Sequence, residues 1–263
     1  MMRDIPGLPP RSSSIEATIL VKALPQVSGS HGETVCVAAL DDNRKWYRFY
    51  PVAFRQLDDA QKFGRWNRVR LTGRIPDINK DNRAESRNVD QNSITLLGKI
   101  QEDRRAAFLE PAIVSSTKKE RAEGRSLALV RPHEPQFFYR RRDPGEIAKR
   151  KAEYARLLAS PDLFGAKEIV PLTPAPFEFG YRYRDDDGAH ECLCHDWEIE
   201  QTFLNWSRSY SEQDTLDRVF ETFGVAYPAK GMALAMGTHS RYPDVWMIIG
   251  VIRMQPVVQQ LLF

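Results

Sequence analysis

Two stretches of this chain lay down the same order of elements, and that order leaves few folds open. In the first, ATILVKALP (17–25) and GETVCVAAL (32–40) are β-branched apolar runs parted by a Gly/Ser turn, and KWYRFYPV (45–52) alternates between two faces. AFRQLDDAQKF (53–63) places Phe54, Leu57, Ala60 and Phe63 at helical spacing. RWNRVRLTGRI (65–75) and NSITLLGKI (92–100) read as two further strands around a polar loop.

The far end repeats the order without sequence identity. KEIVPL (167–172), FEFGYRYR (177–184) and ECLCHDWEI (191–199) read as strands, 200–223 as a helix, and 231–239 and 245–254 as a closing strand pair. Three strands, a helix and two strands is the order of an OB-fold. The expected class is mainly β with helices (α+β): two OB-like five-stranded barrels over 15–100 and 167–256, joined by a helix-rich connector over 101–166. In that connector Asp143 can N-cap a helix beginning at Pro144, and Pro161 ends it.

The net charge of +3 conceals an asymmetry. Residues 43–87 carry twelve Lys or Arg against five acids, and 104–156 carry fourteen against seven, +7 in each case. Residues 177–263 carry seven against thirteen, or −6. The first two ranges suit a polyanion; the third repels one and suits a protein partner or the basic half itself. No segment approaches the roughly 18 uninterrupted apolar residues of a membrane helix. The start has Pro6, Pro9 and Pro10 where a secretory signal has its apolar core, and reads as a loose arm. Three cysteines make a disulfide framework a poor expectation and a reducing cytoplasm the better one.

GETVCVAAL, WYRFYPVAFRQL and DNRAESRNVD, with YRYR, DWEI and VWMIIGVI farther on, resemble the bacterial dual-OB-containing-domain proteins over nearly the whole chain. The resemblance implies nucleic-acid binding or sensing, in the setting of bacterial conflict and antiviral defence, and supplies no catalytic residue.

Alternation along KWYRFYPV puts Tyr47 and Phe49 on one face and Trp46, Arg48 and Tyr50 on the other. Arg48 is the group least easily buried in a small barrel, so its face is expected outward, as a platform on which a single strand stacks. The competing reading packs Trp46 beneath the connector. Arg68, Arg70 and Arg74 extend the basic surface, with Arg55 beside them. Lys80, Arg83 and Arg87 lie in or beside the loop between the fourth and fifth strands, one of the loops with which OB-folds grip oligomers. Glu85 can pair with one of these arginines. Arg140, Arg141 and Arg142 head a second basic cluster.

HECLCHDWEIE (190–200) looks reactive, but two cysteines two apart on a strand stand about 6.5–7 Å apart, too far to chelate one ion unbent. Strand alternation also sends His195 and its acidic neighbours to opposite faces, a poor acid–base pair. The run therefore reads as a strand, with no catalytic, metal or cofactor site. There is no Gly-rich phosphate loop, G-x-S-x-G or H-E-x-x-H. The expectation is a non-enzymatic protein binding single-stranded nucleic acid. Its rivals are a metal-dependent nuclease or nucleotide-processing enzyme using the 185–200 carboxylates, and an assembly adaptor.

Overall fold

The computed structural model describes residues 12–28, 31–159, 170–240 and 242–254. Its first sheet contains β1 (Ser12–Lys22), β2 (Gln26–Ser28), β3 (Gly32–Leu40), β4 (Trp46–Val52), β5 (Asn67–Arg74) and β6 (Ser86–Lys99). The order β1-β5-β6-β4-β3, with β3 pairing back to β1, closes a five-stranded barrel consistent with the OB-like one expected. A short parallel contact, Arg48 opposite Ser86 and Phe49 opposite Arg87, joins β4 to β6. Ile15, Ile19, Val37, Phe49, Val69 and Leu71 fill the interior. Ser12 to Ser14, read as part of a loose arm, instead pair with Arg74, Gly73 and Thr72 of β5.

The helix expected over 53–63 is absent. Two 3-10 turns stand there, Phe54–Gln56 and Asp59–Gln61. Leu57 and Phe63 are buried as single plugs of the barrel core rather than as a helix stripe. The Gln91 side chain also takes the Ala53 amide at 2.7 Å, and the Gln61 amide group donates to the Gln91 carbonyl at 2.9 Å. The segment is pinned to β6 in an open course.

The second unit departs further from expectation. It is a seven-stranded open sheet of β7 (Ile113–Val114), β8 (Leu127–Val130), β9 (His133–Arg141), β10 (Phe177–Asp185), β11 (Gly188–Cys194), β12 (Met232–His239) and β13 (Tyr242–Arg253). Its order is β7-β8-β12-β13-β11-β10-β9, so no second barrel forms. Three of its strands come from the range expected to be a connector, which also holds α1 (Glu102–Leu109), α2 (Thr117–Ala122) and α3 (Pro144–Leu158). LALV is buried at every position, as a strand covered on both faces must be. Asp143 caps α3 as expected, accepting from the amides of Gly145 and Glu146. Pro161 and residues 167–169 lie outside the described residues, and 170–172 form no strand.

Strand β11 ends at Cys194, short of the expected 199. Asp196 accepts from the Glu198 amide and N-caps α4 (Trp197–Trp206), so Trp197 and Ile199 are helical. An N-capping Asp before an acidic first turn is the signal for that switch. Ser211 then caps α5 (Glu212–Phe220), which runs into a π-helical turn over Glu221–Ala226.

The sheet stays open because both faces are covered. Alternate residues, Val130, Tyr181, Leu234 and Ile248 among them, face the core shared with α4 and α5. The opposite face, Leu127, Leu129, Ala233, Ala235 and Ile249, packs on Leu20, Ala38, Leu40 and Trp46 of the barrel. The two units approach closely at Gly250, where an added Cβ would stand 2.5 Å from a Val21 methyl. At the rim of this contact the Arg65 guanidinium donates to Asp196 Oδ2 at 2.8 Å and lies 3.1 Å from Glu198. The Val251 amide also donates to Asp196 Oδ2, at 2.8 Å. Burial opposes the Arg65 charge, but the two carboxylates raise its pKa above the ordinary value.

Candidate nucleic-acid interface

On β4, Tyr47 and Phe49 point into the barrel as expected, stacked with centroids 5.9 Å apart. Trp46, Arg48 and Tyr50 point outward, but outward is not solvent. Trp46 is 8% and Arg48 4% exposed, because the second sheet lies over them. The open stacking platform expected there is therefore not present. Arg48 donates to the carbonyl of Ser126 at 2.9 Å and to its hydroxyl at 3.2 Å. The Ser126 amide and hydroxyl donate to Glu85 at 2.7 and 3.0 Å. A desolvated guanidinium and carboxylate thus share one serine at the junction, which is how buried polar groups escape their desolvation cost. Tyr50 is half-buried, edge-on to His31.

The outer face of β1, β5 and β6 is different. Along NRVRLTGR, Val69, Leu71 and Gly73 are buried, while Arg70 and Arg74 are exposed and Arg68 partly so. Register places Ser12, Glu16 and Thr18 of β1 opposite Arg74, Arg70 and Arg68 on the same face. Arg70 pairs with Glu16 at 2.6 Å, and Arg68 with Asp42 at 2.8 Å. These are exposed pairs, worth about 0–1 kcal/mol each, and a phosphate can displace the acid. Arg74 and Lys80 are exposed and have no acidic partner among the described residues.

The remaining candidates are committed elsewhere. Arg83 holds Asp81 through two bonds of 2.8 and 2.7 Å and donates to the Thr238 carbonyl at 2.8 Å, tying the β5–β6 loop to the second sheet. Burial opposes the Asp81 charge, yet these bonds keep its carboxyl below its ordinary pKa. Arg87 donates to the carbonyls of Ala84 and Ser86, over the Tyr47 ring. Arg55 donates to Glu33 and to the Val170 carbonyl. Arg140 and Arg141 are exposed on edge strand β9 but paired with Glu178 and Glu212. Arg142 serves as internal wiring, donating to the carbonyls of Ala175 and Phe177 and to Glu200. The structure therefore gathers Arg68, Arg70, Arg74 and Lys80 on and beside the barrel's open face and disperses the rest.

Within 185–200 most of the carboxylates are occupied structurally, Asp186 being exposed. The Asp185 side chain is 1% exposed and stands 2.6 Å from His190 Nε2. Glu191 pairs with Arg182, Glu200 accepts from the Ala175 amide, and Asp196 and Glu198 hold Arg65. Burial pushes the Cys192 and Cys194 thiols above their ordinary pKa. Among the described residues no group of three or more His, Cys, Asp or Glu is placed to hold a metal. Nor is any helix among them long and apolar enough to cross a membrane. The sequence reading passed over Arg65 and Ser126, for which only the capping Asp196 and the buried LALV run offered a cue.

Residues 112–263, more than half the chain, match the family described as Domain of unknown function (DUF8757), and the chain belongs to it. Residues 13–111 match Domain of unknown function (DUF8758). The two ranges meet just before β7, so each coincides with one sheet. No curated protein matches the chain.

Proposed function

We propose that this is a non-enzymatic nucleic-acid-binding protein of the bacterial cytoplasm that tracks a phosphate backbone along β5. The observation that carries the reading is the row Arg68, Arg70 and Arg74 on one open sheet face, prolonged by Lys80. The dual-OB resemblance supports the same class and is the ground for a setting in bacterial conflict and defence. The nuclease alternative loses support from the occupied carboxylates. The acidic surface, Glu212, Asp214, Asp217 and Glu221, lies on and just after α5, across the second sheet from the barrel. It would turn a polyanion away there and suit a basic protein partner.

The test is fluorescence anisotropy with labelled single-stranded and duplex oligonucleotides over a salt series. Affinity should fall with salt by roughly 0.7 in log–log slope per phosphate neutralised on a single strand and roughly 0.9 on a duplex. Folded protein that binds neither at about 50 mM salt overturns the proposal.

A further inference from the structure

The arginine row has no exposed aromatic ring on its own face, yet single strands are commonly held by rings on which bases stack. The row does not end at Arg74. The chain continues into the β5–β6 loop, where Ile75 is 45% and Ile78 76% exposed. Backbone bonds from Lys80 and Asp81 to the Asp77 carbonyl wind this loop into a turn. Asp81 then holds Arg83, whose other arm reaches the Thr238 carbonyl at the end of β12. Thr238 opens the hairpin between β12 and β13. At that tip Tyr242 is 64% and Val245 55% exposed, and the His239 and Tyr242 rings lie 5.9 Å apart. Arg83 thus ties the loop to the hairpin, with the exposed cations Arg74 and Lys80 on the barrel side and the exposed Tyr242 ring on the other.

We propose that the hairpin tip is the base-stacking part of the nucleic-acid site, with Tyr242 as the ring and single-stranded nucleic acid as the occupant. This rests on the reading of β5 as the backbone track and brings the second unit into the site. Three features favour this occupant over a purely apolar partner. Arg74 and Lys80 match a polyanion in charge, the patch continues the arginine row, and the tip offers an exposed tyrosine ring of the kind that stacks on a base. A duplex, its bases already stacked, gains nothing from that ring.

The experiment compares the full chain with Tyr242→Ala, Tyr242→Phe and Arg74→Glu, using fluorescein-labelled oligothymidylate and a duplex of equal length. Tyr242→Ala should weaken oligothymidylate binding roughly 5- to 140-fold, with the salt slope unchanged because no phosphate contact is lost. Tyr242→Phe should keep wild-type affinity, and duplex binding should be the same in all three tyrosine forms. Oligothymidylate binding by Tyr242→Ala within twofold of wild type, while Arg74→Glu weakens it, overturns the stacking site and leaves the arginine row standing. An equal loss on duplex and single strand also overturns it. Wild-type protein that binds neither probe overturns both.

Discussion

The barrel has two outer faces of nearly opposite fate. On β3 and β4 the outward Ala38, Leu40, Trp46 and Arg48 are buried at the junction with the second sheet, and Cys36 and Tyr50 are half-buried. At the start of β1 and along β5, Ser12, Ser14, Glu16, Arg70 and Arg74 point outward and are exposed, with Arg68 and Thr72 partly so. The first is the face with which an OB-fold ordinarily meets an oligomer, and here a seven-stranded sheet of the same chain occupies it. Alternation alone does not separate the two faces. The off-core residues do so only as a set: Ala38 and Leu40 on β3 beside Trp46 on β4 mark a second core that also takes in Arg48, while Ser12, Ser14, Glu16, Arg70 and Arg74 together mark water.

The widest break in that comparison is to cut the chain between the two matched ranges, at 111/112. Residues 12–111 alone would expose Leu20, Leu40, Trp46 and Trp66 together, a patch of the kind that drives association. The fragment should aggregate or remain unfolded by circular dichroism, and co-expression with 112–263 should recover a soluble pair. A fragment that is monomeric and melts cooperatively would show the covered face to be an incidental contact. A cut after residue 160 is no cleaner, because it parts β7–β9 from the strands they pair with.

Next in size is Asp196→Ala. The Asp196 and Arg65 side chains are 1% and 9% exposed, so removing the acid leaves a buried guanidinium whose one remaining carboxylate is Glu198 at the rim. Arg65 keeps its bond to the Val251 carbonyl, but its buried charge loses the better of its two carboxylates, and the loss should be about 3–5 kcal/mol in denaturant unfolding. A change below about 1 kcal/mol would place this pair among ordinary surface contacts.

Two arginines then test the faces against each other. Arg48→Met should cost about 1–3 kcal/mol of stability, because Ser126 loses its charged donor in a dry junction, though its carbonyl keeps the Thr238 amide at 3.1 Å. Arg74→Met should leave stability within about 0.5 kcal/mol and lower the salt slope of single-strand binding by about 0.7. If the two exchange effects, the assignment of covered and open face is reversed.

Much of the first unit was legible. GETVCVAAL is a β-branched apolar run and RWNRVRLTGRI alternates, and β3 and β5 lie inside them. The arginine row could be read because each outward position on β5 is polar, so no competing core claims that face. Arg48 was misassigned because strand pattern tells inside from outside of one barrel but not what a later segment lays over it. The partner strands, LALV and GMALAMGTH, lie 75 residues or more downstream. The DWE run misled for a local reason: Asp196 turns the chain from strand to helix within one residue, and period-2 alternation carried past that point puts Trp197 in the same core as Ile199, whereas Trp197 packs in the barrel and Ile199 in the second unit.

The smallest effect concerns the same turn. His195 lies between β11 and α4, with its carbonyl accepting from the Leu24 amide of the barrel at 3.0 Å. Burial lowers the pKa of its imidazole below the ordinary 6.5; Glu178 opposes that shift, while Arg142 and Arg150 add to it. The Asp196 carboxylate beside it is spent on Arg65. The unfolded chain therefore takes up a proton at this residue at a higher pH than the folded one, and stability rises with pH across that interval. The contribution is whole above about pH 6.5 and is lost as pH falls towards the depressed folded value. Melting curves from about pH 7.5 to about pH 5.5 should show the wild type losing more than His195→Gln, which keeps polar bulk without a titrating ring. Carboxylates titrate alike in both proteins and cancel in the difference. Equal slopes would mean that His195 takes up its proton as readily folded as unfolded, and that the junction between barrel and sheet is open to water at this point.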